Sequence, residues 1–174
     1  MTVSSYAGKH PVIGPGTWVH PSADVFGDVV VGRDCWIGPG ARLRGDYGWI
    51  VLGDCCAVED NCVIHARPDE VCSIGSWVTL GHGCVVHNAK HVGDYAVIGM
   101  GTVVSDWAEI GEWAAVAEGA VVRQRAVVPA ARIAAGVPAR LLEQEVDDEY
   151  RAAWLESKRR YVKLCERNPR EYGA

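Results

Sequence analysis

Aliphatic residues recur every six positions along most of this chain, with polar residues and glycine between them. The run begins Ile13, Val19, Val25, Val31, Ile37, Leu43 and resumes, after a short insertion, at Leu52, Val58 and Ile64. After a second insertion it continues from Ile74 through Leu80, Val86, Val92, Ile98, Val104, Ile110 and Val116 to Val122. Four positions beyond each aliphatic residue the side chain is mostly small, as at Thr17, Ala23, Cys35, Ala41, Cys56, Cys62, Cys84, Ala96, Thr102, Ala108, Ala114 and Ala120. Glycine often follows the aliphatic residue directly, as at Gly32, Gly53, Gly75 and Gly81. One large and one small inward residue per hexapeptide, with glycine easing the turns, predicts a parallel β-helix. The repeat fades after Val122, and the segment from Ile133 to Arg140 reads as the turn that closes the prism. From Leu141 the chain becomes highly charged, and Tyr150, Trp154, Tyr161 and Leu164 recur at helical spacing. The expectation is a β-helix over 1–140 and a C-terminal α-helix over 141–174 packed on it. Trp77, Tyr95 and Trp113, each 18 residues apart, predict an outward aromatic ladder on which that helix docks.

Composition narrows the class without changing this picture. A chain of 174 residues with 49% hydrophobic and 22% charged residues suits one globular domain. Its 26 valines and 20 glycines against one phenylalanine fit a turn-rich β-fold with small side chains inside. A net charge of −5 argues against nucleic acid or an anionic membrane as partner. No apolar run approaches the ~18 residues of a membrane span. The first residues lack the charged-then-apolar layout of an export signal, so the expected location is cytoplasmic. Seven cysteines cannot all pair, and no CxxC spacing occurs. Four of them, Cys35, Cys56, Cys62 and Cys84, fall on the small inward track and read as packing residues.

Coil arithmetic sorts the six histidines. His65 follows Ile64 as His87 follows Val86, and their separation of 22 becomes 18, one coil of three hexapeptides, once the four-residue insertion is removed. Arg44 follows Leu43 and joins the same column by the same subtraction. Two imidazoles on adjacent rungs, ~4.8 Å apart, can lean toward one metal. His82 belongs to the preceding face, so a third ligand would come from a neighbouring subunit, which predicts a threefold oligomer. His10, His20 and His91 fall outside the column and read as surface residues.

These residues carry a family resemblance. The hexapeptide pattern resembles the left-handed β-helix superfamily, from which the handedness and six to seven triangular coils are taken. Arg44-Gly-Asp46, Glu59-Asp60-Asn61, His65, Gly81-His82, His87 and Ile98-Gly-Met-Gly101 look like the gamma-class carbonic anhydrases. The loop after His65 and the tail around Arg160 look closer to the branch encoded with phenylacetate and carnitine pathways. The resemblance implies a homotrimer with a three-histidine metal centre at each subunit interface, built from His65 and His87 of one subunit and His82 of the next. It implies zinc, with iron or cobalt as alternatives, and a structural ion pair between subunits made by Arg44 and Asp60, with Asp46 the lesser candidate. Glu59 stands where the family has a glutamine that orients the metal-bound water, and is read as a catalytic or supporting carboxylate. Asp69 and Glu70 lie in a short insertion where active members carry a longer acidic loop. The leading expectation is a small-molecule metalloenzyme that hydrates CO2, with Glu59, Asp60 and Arg44 at the catalytic centre. The alternatives are a metal-dependent acyl-CoA thioesterase and a hexapeptide acyltransferase in which one histidine is a general base.

Overall fold

A computed structural model describes residues 2–171; Met1 and residues 172–174, the outer ends of the two expected segments, lie outside the described residues. The chain is an all-β left-handed parallel β-helix of about seven turns with one α-helix, Asp148–Glu171. Successive coils pair in parallel, Leu43 beside Ile64, Ile64 beside Val86, and Val86 beside Val104. The strands Asp24–Val31 and Arg42–Leu52 run around a corner and join two faces of the prism into one twelve-stranded sheet. The third face is an eight-stranded sheet.

The core is the repeat itself. Ile37, Leu43, Ile64, Leu80, Val86 and Ile98 are fully buried, and so are the small partners Ala41, Cys62, Cys84, Ala96 and Ala114. Neither track can change size freely, because coils stacked at the inter-strand spacing leave no slack between layers. The glycines mark the tightest approach: a Cβ on Gly53 would stand 2.6 Å from the carbonyl carbon of Gly75. Corners elsewhere demand positive φ even of bulky residues, with Trp77, Tyr95 and Trp113 at 58, 61 and 56°.

Three boundaries differ from expectation. The coil continues past Val122, since Val128 and Ala134 fill the next inward positions and the strand Arg132–Ala135 pairs parallel to Ala115–Val116. Residues Arg140–Glu145 are not helical. They form a strand antiparallel to Arg132–Ala135, which pairs with the last rung of the eight-stranded sheet. The helix then begins at Asp148, with the Asp147 carboxylate accepting the Tyr150 N–H at 2.8 Å as an N-cap.

The helix also docks differently. It lies across the eight-stranded sheet, whose outward residues Trp18, Trp36, Ala57, Thr79, Val97, Ala115 and Ile133 stack in one column. Tyr161, Leu164 and Cys165 pack on Trp18, Trp36 and Ala57, while Tyr150 and Trp154 pack with Val97, Ala115 and Ile133. The aromatic ladder exists, with Tyr95 and Trp113 stacked at 4.7 Å, yet it runs along the corner beside this sheet. Trp113 alone of its rings joins the helix-packed cluster, and Arg151 lies 5.6 Å over it. Corner residues project past the sheet face, so they cannot form the floor on which a helix rests.

Candidate functional site

The two insertions stack at one corner, and this carries acidic residues to the histidine column. Trp49 N–H donates to the Glu70 carbonyl, and Gly48 is packed so closely on Ala66 that a Cβ would stand 2.9 Å from the alanine methyl. Arg44, His65 and His87 form one column, as the register of their strands requires. The His65 and His87 rings are 5.3 Å apart. His65 Nε2 meets Asp46 Oδ1 at 2.9 Å, and the Arg44 guanidinium stands 3.0 Å from the same nitrogen. Burial lowers the His65 pKa below the ordinary imidazole value, and the Arg44 and His87 charges add to this against the opposing pull of Asp46. His65 is therefore neutral at pH 7.

His87 is held otherwise. Its Nδ1 meets Asp106 Oδ1 at 2.8 Å, and Arg67 grips that carboxylate with two bonds of 2.7 and 2.9 Å. The Arg67 guanidinium and the His87 contact keep the Asp106 carboxyl below its usual range. Arg67 and Arg125 both lie over the Trp107 ring, at 5.5 and 4.4 Å from its centroid. The Trp107 indole N–H and the Asn88 amide both donate to Glu70 Oε2 at 2.6 Å. With Asp106 accepting the proton on Nδ1, His87 Nε2 carries a lone pair and has no hydrogen-bond partner among the described residues. It borders a depression of about 500 Å³ shared with Phe26, Arg42, Arg44, Val63 and His65.

His82 sits at a different corner with both nitrogens engaged. The Asp60 backbone N–H donates to Nδ1 at 3.2 Å, so Nε2 carries the proton and faces Glu59 Oε2 at 3.2 Å. Glu59 is 8% exposed and also receives the His82 backbone N–H. Burial and this same carboxylate raise the Tyr161 phenol pKa. Arg44 pairs with Asp46 within the chain, at 3.4 Å, and Asp60 lies 3.8 Å from His82 Nδ1. His20 and His91 contact Ser22 and Ser73 far from the column, and His10 is exposed.

The expected metal centre is overturned. Among the described residues no three His, Cys, Asp or Glu side chains are grouped to hold a metal ion. The donor set explains why: a guanidinium occupies the approach to His65 Nε2, and a second cation there would meet its charge directly. His82 is turned to Glu59 and Asp60. The residues do not fit zinc, iron or cobalt, and the sequence had no signal for the Arg44–His65 contact beyond their shared column.

The structure brings together Arg44, His65 and His87 and separates Glu59, Asp60 and His82 from them. Sequence reasoning missed Asp106 and Arg67. Asp106 lies 19 residues after His87, a rung above and one position out of register, which column counting skips.

No family model matches the chain. The carnitine operon protein CaiE of Escherichia coli O157:H7 is 39% identical over 87 residues, which are 50% of this chain and 44% of that protein. The chain thus aligns with under half the length of the curated relatives it matches. The BC4754 gene product of Bacillus cereus, which carries a provisional acetyltransferase name, superposes with a TM-score of 0.92 at 30% identity over 96% of both chains. A hexapeptide transferase family protein from Anaplasma phagocytophilum superposes with a TM-score of 0.87 at 30% identity, covering 95% of this chain and 96% of that one. These full-length likenesses, together with the ungrouped donors, overturn the carbonic anhydrase and thioesterase readings. No helix among the described residues is long and apolar enough to cross a membrane.

Proposed function

We propose that this chain is an acyltransferase, and the premise is its family: it belongs to the hexapeptide-repeat family of left-handed β-helix proteins. The observation that carries the reading is the Asp106–His87 contact of 2.8 Å, which occupies Nδ1 and leaves Nε2 without a hydrogen-bond partner among the described residues, on a side chain that borders an open depression. His87 Nε2 takes the proton from an acceptor hydroxyl or amine as that atom attacks the carbonyl carbon of a thioester. The carbon–sulfur bond then breaks, and the departing thiolate takes the proton back from Nε2. Asp106 holds the tautomer and stabilises the imidazolium between the two transfers, and Arg67 fixes Asp106. Arg44, bordering the same depression, supplies positive charge for the tetrahedral oxyanion.

The substrate is a small molecule, and the assembly is a homotrimer formed through the histidine face. Val63, Val85, Val103 and Val121 stand in one outward column there, and Val63 is 37% exposed. A threefold contact along that column covers an apolar stripe and encloses the depression. Seven free thiols, six of them buried, support a cytoplasmic location.

The test is coenzyme A release from acetyl-coenzyme A with a panel of amine and alcohol acceptors. His87→Ala is expected to lower the acceptor-dependent rate by about 10²–10⁴-fold. A rate unaltered by this substitution would refute the assignment.

A further inference from the structure

A second cavity, of about 440 Å³, lies under the first turns of the helix and takes no part in the chemistry above. Its floor is Val97 and Ala115 of the eight-stranded sheet, and Tyr150 and Trp154 reach over it from the helix. Their rings are 6.0 Å apart and inclined by 36°, two walls that can face one guest. A carboxylate stands toward each end. Glu59 is buried at one, and Glu118 at the other is exposed and close enough to Tyr150 to help burial push that phenol up to about 12. The two are three coil steps apart, ~14 Å at the usual strand spacing. No lysine or arginine lines the cavity; the Lys158 ammonium lies beside it, bonded to Thr79 Oγ1 and the Ala96 carbonyl and 5.8 Å from the Trp154 ring, which leaves the Glu118 end as the one for a guest cation.

Glu59 is held by His82, whereas Glu118 has no ion-pair partner among the described residues, so apolar floor, two aromatic walls and the Glu118 charge form a combination that selects by charge. An anionic head would be repelled at either end, and a neutral alcohol would gain only the apolar contact. A cationic nitrogen gains the ring faces and the Glu118 carboxylate together. We propose that this cavity binds an amphipathic organic cation. Its ammonium or methylated ammonium head sits against the Tyr150 and Trp154 rings beside Glu118, and its carbon body lies along Val97 and Ala115 toward His82. The proposal stands on this cavity alone and does not rest on the acyl-transfer reading.

Calorimetric titration of the full chain with hexyltrimethylammonium, hexanol and hexanoate tests it. The cation is expected to bind saturably at one site, about tenfold more tightly than hexanol, with no saturable binding of hexanoate. Glu118→Gln, at an exposed position that tolerates change, should weaken the cation about tenfold and leave hexanol unaltered. Tyr150→Phe, which keeps the ring, should retain binding, and His87→Ala should have no effect. Absence of cation binding, equal or tighter binding of hexanol or hexanoate, or indifference to Glu118→Gln would each overturn the proposal.

Discussion

His87 differs from its two neighbours through a single hydrogen bond. His65 has Nε2 against Asp46 and Arg44 and Nδ1 3.5 Å from the same guanidinium, and His82 is held by Glu59 and the Asp60 backbone, so neither ring presents a nitrogen without a polar contact. Asp106 fills the inner nitrogen of His87 and leaves the outer one to act. Asp106→Asn keeps the shape but presents an amide that can reverse the tautomer, and should cut the acyl-transfer rate by roughly 10²–10⁴-fold with little change in melting temperature. Loss of folding together with activity would reduce Asp106 to a structural residue. Arg67→Lys replaces two fixed bonds by one point charge and should cost about ten- to a hundredfold, with Arg67→Gln costing more. Equal activity of all three proteins would show that Asp106 needs no clamp. The Arg44–His65–His87 column was legible in the sequence because β-helix register follows from counting. The partners were not, because Asp46 and Asp106 reach the rings from insertion and corner residues, which counting does not place.

At the scale of the helix, the surprise is Lys158. In the sequence Lys158-Arg159-Arg160 reads as a solvated charge run, yet Lys158 is 2% exposed and shares a stripe with Tyr150, Trp154, Tyr161 and Cys165. Burial lowers its pKa to about 7, against partial compensation from Cys56 and Glu59. A base whose folded pKa lies below its unfolded value of ~10.4 destabilises the fold as pH falls between the two, and the cost is fully present below the folded value. Lys158→Met removes that cost, so the variant should gain stability over the parent most at pH 6–7, with the gain fading toward pH 10. Denaturant midpoints across this range measure it, and a pH-independent difference would mean that the amine is compensated in the fold. The docking face left a signal in the sequence, but not one that singles it out. Trp18 and Trp36 are 18 residues apart, each directly before an inward residue, which marks an outward apolar column on the sheet. The ladder Trp77–Tyr95–Trp113 repeats just as regularly, and periodicity alone does not distinguish a corner from a face.

For the whole molecule, the hexapeptide period determines nearly everything: coil size, inward tracks and strand register. The end of the coil was only partly legible: Val128 keeps the six-residue period after Val122, but Ala134 stands where an aliphatic residue is expected, and the closing strand Arg140–Glu145 is exposed throughout, with no apolar alternation to announce it. Small-track positions should be intolerant of size in proportion to this regularity. Ala114→Leu, placed between adjacent coils, should cost about 1–3 kcal/mol or more and is read by thermal or denaturant unfolding; a neutral result would show slack between the layers. The chemistry did not follow from the period, since one scaffold presents the same column for a metal or for a general base, and only the bonds around each imidazole separate the two. The direct test is the fate of a labelled acetyl group, followed by mass spectrometry after incubation of chelator-treated protein with labelled acetyl-coenzyme A and an acceptor panel. The label is expected on an acceptor oxygen or nitrogen, and on none with His87→Ala. Label recovered only as free acetate, or turnover only after metal is restored, would contradict acyl transfer by a histidine base.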